Sequence, residues 1–124
     1  MSEAAATGAL PPVISGYLAA SDRGDAVAVV RCFAEDAVVV DEGQQWRGTA
    51  AIRRWRDTAA TAYDYTVQVT GAKALGEVDG VERHNVYLHL EGNFPGGEVD
   101  LTSRFALRDG RIARLEIVPT EAGP

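Results

Sequence analysis

The chain has 124 residues, 46% hydrophobic and 24% charged, the proportions of an ordinary globular chain of about one domain. Its 12 Lys and Arg stand against 18 Asp and Glu, a net charge of −6, which argues against a nucleic-acid partner, because neutralising phosphates takes a basic face. No apolar run approaches the roughly 18 residues of a membrane span, and a single cysteine, Cys32, excludes an internal disulfide and a cysteine-rich zinc site.

Residues 1–10 read as a loose leader of small residues without the basic and apolar regions of a secretory signal, so a cytoplasmic location is the default expectation. Pro11 and Pro12 open a helix, since a first-turn amide has no partner to lose. Ile14, Tyr17 and Leu18 form its apolar stripe, and Gly24 can take the left-handed cap that ends it. Asp25 caps a second helix with Val27, Val30 and Phe33 on one face. Val38-Val39-Val40 is a short β-branched strand, Asp41-Glu42-Gly43 a turn, and Gln44 to Arg47 a second short strand that pairs back. A third helix starts at Gly48-Thr49 with Thr49 as cap, carries Ile52, Trp55, Arg56 and Ala59 on one side, and ends near Ala62. Arg53, Arg54 and Arg56 spread around its axis and read as a solvated face.

The second half alternates with a period of two. Strands are expected over Tyr63 to Leu75, Val81 to Glu91, Glu98 to Arg108 and Arg111 to Val118, separated by a Glu77–Gly80 turn, a Gly92–Gly97 loop and an Asp109-Gly110 hairpin. His84, Val86, Leu88 and Leu90 share one face of the second of these. Ser103, Phe105 and Leu107 line the third, and Ala113, Leu115 and Ile117 point inward from the last. Three helices and a four-strand meander make an α+β domain over 11–118, with 119–124 as a tail. If the sheet curls, helices and sheet enclose a pocket.

Phosphate loops, paired-cysteine metal sites and the His-Glu-x-x-His and Gly-x-Ser-x-Gly motifs are absent. His84 and His89 lie five apart in one strand, hence on opposite faces, and cannot share one metal. No metal or organic cofactor is called for. The informative positions are Tyr17, a phenol inside an apolar stripe, and Asp41, an acid ending an apolar strand. Pattern alone reads Asp41 as a turn aspartate bonded to backbone, and His84 and Ser103 as polar members of the core.

Three stretches carry a family resemblance: Tyr17 to Asp25, Phe33 to Gly43, and Arg47 to Ile52. Arg104 to Leu107 and Gly110 to Ile112 add to it. In this order they resemble the ketosteroid isomerase and SnoaL-like polyketide cyclase branch of the nuclear transport factor 2-like superfamily. The resemblance implies a cone: a strongly curved antiparallel sheet wrapped on three N-terminal helices, open at one end to a deep apolar pocket. It implies a homodimer through the outer sheet face, where Val67 or Val69, Tyr87 and Ile112 supply apolar area. It places Asp41 on the general-base aspartate and Tyr17 on the tyrosine that donates to the substrate oxyanion, a division of labour known in steroid isomerases. The second oxyanion donor of those enzymes falls on Ser103, a supporting tyrosine on Arg56, and pocket positions on Trp55 and His84. Phe33, Val86, Leu88 and Leu115 complete the expected lining.

The resulting expectation is a small protein that binds a mostly apolar molecule and carries out cofactor-free acid–base chemistry next to a carbonyl: isomerisation, cyclisation or dehydration. The alternative is a non-catalytic binding or dimerisation module. Arg56 separates them. Paired with Asp41 it would hold the carboxylate as a poor proton acceptor; turned elsewhere it leaves the acid available.

Overall fold

A computed structural model describes residues 10–58 and 63–120. Helix α1 (Pro12–Asp22) begins at the prolines and ends at Gly24, whose φ is +71°. Asp25 caps α2 (Ala26–Arg31) by accepting a hydrogen bond from the Ala28 amide at 3.1 Å. Strand β1 (Phe33–Asp41) hairpins into β2 (Gln44–Arg47), and α3 (Thr49–Asp57) follows. Four strands complete the chain: β3 (Tyr65–Val78), β4 (Val81–Gly92), β5 (Glu98–Arg108) and β6 (Arg111–Pro119).

All six strands join one sheet in the order β2-β1-β6-β5-β4-β3. The meander β3 to β6 is antiparallel, as its short turns dictate. Strand β1 instead lies parallel to β6, with Val39 beside Leu115 and Asp41 beside Ile117. The sheet is therefore mixed rather than antiparallel, and only two helices precede it, because α3 sits between β2 and β3. The three two-residue turns Glu42-Gly43, Asp79-Gly80 and Asp109-Gly110 have positive φ at both positions, the geometry that matches strand twist.

Several local expectations change. Phe33 opens β1 rather than closing α2, and Val29 instead of Val27 is the buried residue of α2. Gly48, at φ +86°, holds the N-cap position of α3, and Thr49 is already helical. Ala59 and Ala62 fall outside the described residues. Arg53 and Arg54 are exposed, whereas Arg56 is buried.

The inner face of the sheet carries Val39, Val86, Leu88, Phe105 and Leu115, covered by Ile14 and Tyr17 of α1, Val29 of α2, and Ile52 and Trp55 of α3. A sheet with one apolar face must be covered in this way. Irregularities at Val69/Gly71, Ala74/Gly76 and Ala106/Leu107 shift the register, and such bulges bend strands and increase twist. The last of them puts Ile112 in the core with no exposed surface. Val67 and Val69 pair with Leu90 and Leu88 of the inner face. Of the residues expected to form an apolar outer patch, Tyr87 alone lies on that face, opposite Thr102. Its neighbours in the groove there are mixed: Asn85, Thr102 and Arg104 beside Val118 and Pro119.

Gly92 ends β4 against the start of β3. A Cβ there would stand 2.3 Å from the Asp64 carbonyl oxygen and 2.6 Å from the Tyr65 Cβ. Gly92→Ala is expected to destabilise the fold by about 1–3 kcal/mol, as overpacking does. Gly16 of α1 has open space around it, so Gly16→Ala should stabilise by about 0.5–1 kcal/mol. Thermal melts of the two variants should therefore move in opposite directions.

Candidate functional site

Tyr17 reaches the interior because Ile14, Tyr17 and Ala20 repeat at intervals of three along the buried side of α1. Its ring meets Phe33 edge-on at 5.8 Å and Phe105 at 5.7 Å, arrangements that aromatic quadrupoles favour. Burial drives the phenol's pKa well above its ordinary range. The Arg56 charge opposes the rise, and Tyr65, Asp41 and Cys32 add to it. The phenol is held in its neutral form.

Asp41 ends β1 at the hairpin to β2, paired with Gln44 on one side and Ile117 on the other. Its carboxylate does not turn back on its own turn. Oδ2 accepts a hydrogen bond of 3.0 Å from Nε1 of Trp55. Trp55 is 1% exposed and lies on the buried side of α3 with Ile52. Expected only as a pocket wall, Trp55 instead fixes one oxygen of the acid from a different element. A lone tryptophan on the buried side of a short helix was the available signal, but its partner depended on how that helix docks.

Arg56, also buried, points inward but not at Asp41. Its Nη2 donates to the Ser21 carbonyl oxygen at 2.9 Å. Ser21 lies in the last turn of α1, where its carbonyl also accepts from the Gly24 amide at 3.2 Å and a cation is favoured by the helix dipole. The guanidinium thus closes α1 from outside, and among the described residues no ion pair joins it to Asp41.

Register sorts the remaining expected residues. Asp41, Ile117, Ser103 and Val86 stand side by side across four strands. Ser103 is buried, two strands from Asp41, which is about 10 Å at usual strand spacing. The adjacent row holds Val39, Leu115, Phe105 and His84, so Phe105 brings its row to Tyr17 while His84 is at the far side, three strands from β1. The His84 ring contacts Glu82 at 3.4 Å. Leu88 lies one row further along, beside Leu101. Tyr17, Phe33, Phe105, Asp41 and Trp55 thus form the connected centre; Ser103 flanks it and His84 does not join it. Phe105 and Tyr65 were read from sequence only as strand residues. Two grooves of about 430 and 570 Å3 lie on the outer face of the sheet, around Arg104 and Asn85, and neither is lined by Tyr17 or Asp41.

Comparison with known proteins bears on what this centre is. A comparison with curated proteins finds no match. Among solved structures, a Sinorhizobium meliloti protein designated a candidate polyketide cyclase is 38% identical, with 90% of this chain and 98% of that one aligned and a TM-score of 0.79. The orange carotenoid protein of Anabaena, in a structure binding canthaxanthin, is 17% identical with a TM-score of 0.79 over 91% of this chain and 36% of that one. SalBIII, an epoxide hydrolase/cyclase-like enzyme of pyran ring formation in salinomycin, is 22% identical over 87% of this chain and 88% of that one, with a TM-score of 0.69. The two lower identities speak for the fold alone. The family profile of the SnoaL-like domain matches residues 14–115, and with that span and the cyclase-designated relative the chain belongs to the SnoaL-like domain family, within the nuclear transport factor 2-like fold.

Proposed function

We propose that residues 11–118 form one unit that binds a mostly apolar small molecule between the helices and the inner sheet face and moves a proton next to its carbonyl group. The observation that carries this reading is the Asp41–Trp55 hydrogen bond. It anchors one carboxylate oxygen by an indole N–H, with Arg56 committed to Ser21 instead. General-base catalysis needs a carboxylate fixed beside the substrate carbon, and this bond supplies the fixing. Tyr17, neutral and rigidly packed, is the donor to the developing oxyanion, and donors placed in advance contribute much of the stabilisation in such reactions. Asp41 takes the proton from the carbon beside the carbonyl, Tyr17 shares its proton with the oxygen, and Asp41 returns the proton at another atom. Ser103 stands beside the reacting region; Phe33, Phe105, Val86, Leu88 and Leu115 supply apolar walls. The 38% identity to the cyclase-designated protein supports a reaction of this class.

A second reading is a binding module without chemistry. The two readings differ at Asp41. As a base it is dispensable for folding and binding. In a receptacle it serves only to tie β1 to α3.

The test is hydrogen–deuterium exchange at the carbon next to the carbonyl of apolar ketones and enones, followed by NMR in D2O. Asp41→Asn is expected to keep the melting temperature and ligand affinity while slowing exchange about 10²–10⁴-fold. Tyr17→Phe should slow it about 10²–10³-fold, and the two losses should not add if both groups act on one transition state. Trp55→Phe should slow it by up to about 10²-fold through misplacement of the acid. An Asp41→Asn variant that exchanges at the wild-type rate would sink the general-base assignment.

Arg56→Met should lower stability by about 1–3 kcal/mol, the usual worth of a hydrogen bond from a charged donor, since the Ser21 carbonyl keeps its bond from the Gly24 amide. It should leave the pH dependence of exchange in place. A shift of that dependence would show that Arg56 acts on Asp41 after all.

A homodimer through the outer sheet face completes the proposal. That face mixes Arg83, Arg104, Arg114 and Glu116 with Leu75, Val118 and Pro119. Light scattering should give twice the 13.2 kDa chain mass.

A further inference from the structure

On the outer face of the β4–β5 hairpin, far from Asp41, four ionisable side chains form a block. His89 and Glu91 stand two apart on β4 and so share a face. Register sets Asp100 opposite His89 and Glu98 opposite Glu91. Nδ1 of His89 lies 2.6 Å from Asp100 Oδ1. Nε2 lies 3.1 Å from Glu91 Oε2 and 3.2 Å from Glu98 Oε1. Among the described residues, no lysine or arginine pairs with these three carboxylates. Their neighbours from β3 on this face are Thr66 and Gln68, which carry no charge.

A neutral imidazole has one N–H. The shortest contact assigns it to Nδ1, facing Asp100. Nε2 then presents a lone pair toward two carboxylates, so three electron-pair donors converge within 4.8 Å of one another. A metal cation between them satisfies all three, as does a second proton on Nε2.

We propose that this block is a binding site for a first-row divalent cation of the zinc or nickel type, with His89 Nε2, Glu91 and Glu98 as ligands and Asp100 orienting the ring. One imidazole and two carboxylates suit borderline metals, whereas magnesium and calcium prefer oxygen ligands alone. A carboxylate on the second ring nitrogen is the usual support of a metal-bound histidine, because it fixes the tautomer and raises ligand basicity. Water fills the remaining coordination positions on this open surface. The metal bridges β4 and β5 and so clamps the hairpin beside its Gly92–Gly97 loop. The competing occupant is a proton on Nε2, which the same two carboxylates would accept as a hydrogen bond.

The test uses the full chain, free of any affinity tag and stripped with chelator, titrated with zinc chloride by calorimetry at pH 8 and melted with and without the metal. One zinc per chain and a higher melting temperature are expected. Asp100→Asn should weaken binding about 10–100-fold, His89→Ala should remove saturable binding while circular dichroism shows a folded chain, and His84→Ala should change nothing. Magnesium chloride at equal concentration should not reproduce the rise in melting temperature. Absence of saturable zinc binding, equal binding by folded His89→Ala, or an equal response to magnesium would each overturn the assignment.

Discussion

A sheet with one apolar face cannot stand alone in water, and in this chain the three helices must all fall on the same side of it. That constraint organises the molecule. Ile14 and Tyr17 of α1, Val29 of α2, and Ile52 and Trp55 of α3 each reach the face built by Val39, Val86, Phe105 and Leu115. Burial at roughly 25 cal/mol per Å2 of apolar area makes this the main favourable term. It also dictates where polar groups can go. Any acid, phenol or guanidinium on those helix sides enters the interior and must find a partner there.

The partners found are economical. Trp55 brings its indole N–H to Asp41, and Arg56, one residue on, brings its guanidinium to the end of α1. Adjacent residues of one short helix thereby tie down two different elements, a strand terminus and a helix terminus. Tyr17 needs no such tether, because two perpendicular aromatic contacts hold its ring. The result is an interior whose polar groups are each fixed from a separate direction, the arrangement a preorganised site requires.

Local chemistry was legible in the sequence to the extent that it acts over a few residues. The Asp25 cap, the Gly24 terminus, the Asp109-Gly110 turn and the limits of β5 all follow from neighbours in the chain. The parallel partnership of β1 with β6 did not, because nothing near Val38-Val39-Val40 announces a strand more than seventy residues away. Ile112 was assigned outward by strict alternation, and one bulge at Ala106/Leu107 reversed it. The site shows the same division. Tyr17 and Asp41 stood out as a phenol and an acid in apolar runs. The indole that holds Asp41 depended on how α3 docks. Likewise His89 was weighed only against His84, whereas its neighbours come from β5 through the register that the Gly92–Gly97 loop sets.

The β1–β6 pairing also sets an order of events. The meander is built from neighbours joined by short turns, contacts that close quickly and at little entropic cost. The contact between Phe33 and Ile112 spans most of the chain and closes a far larger loop. Asp41 belongs to the strand that this late contact secures. Loop-closure entropy therefore favours pairing of the meander ahead of the strand that carries the acid. Substitutions that loosen β1 alone would displace Asp41 while leaving the meander paired.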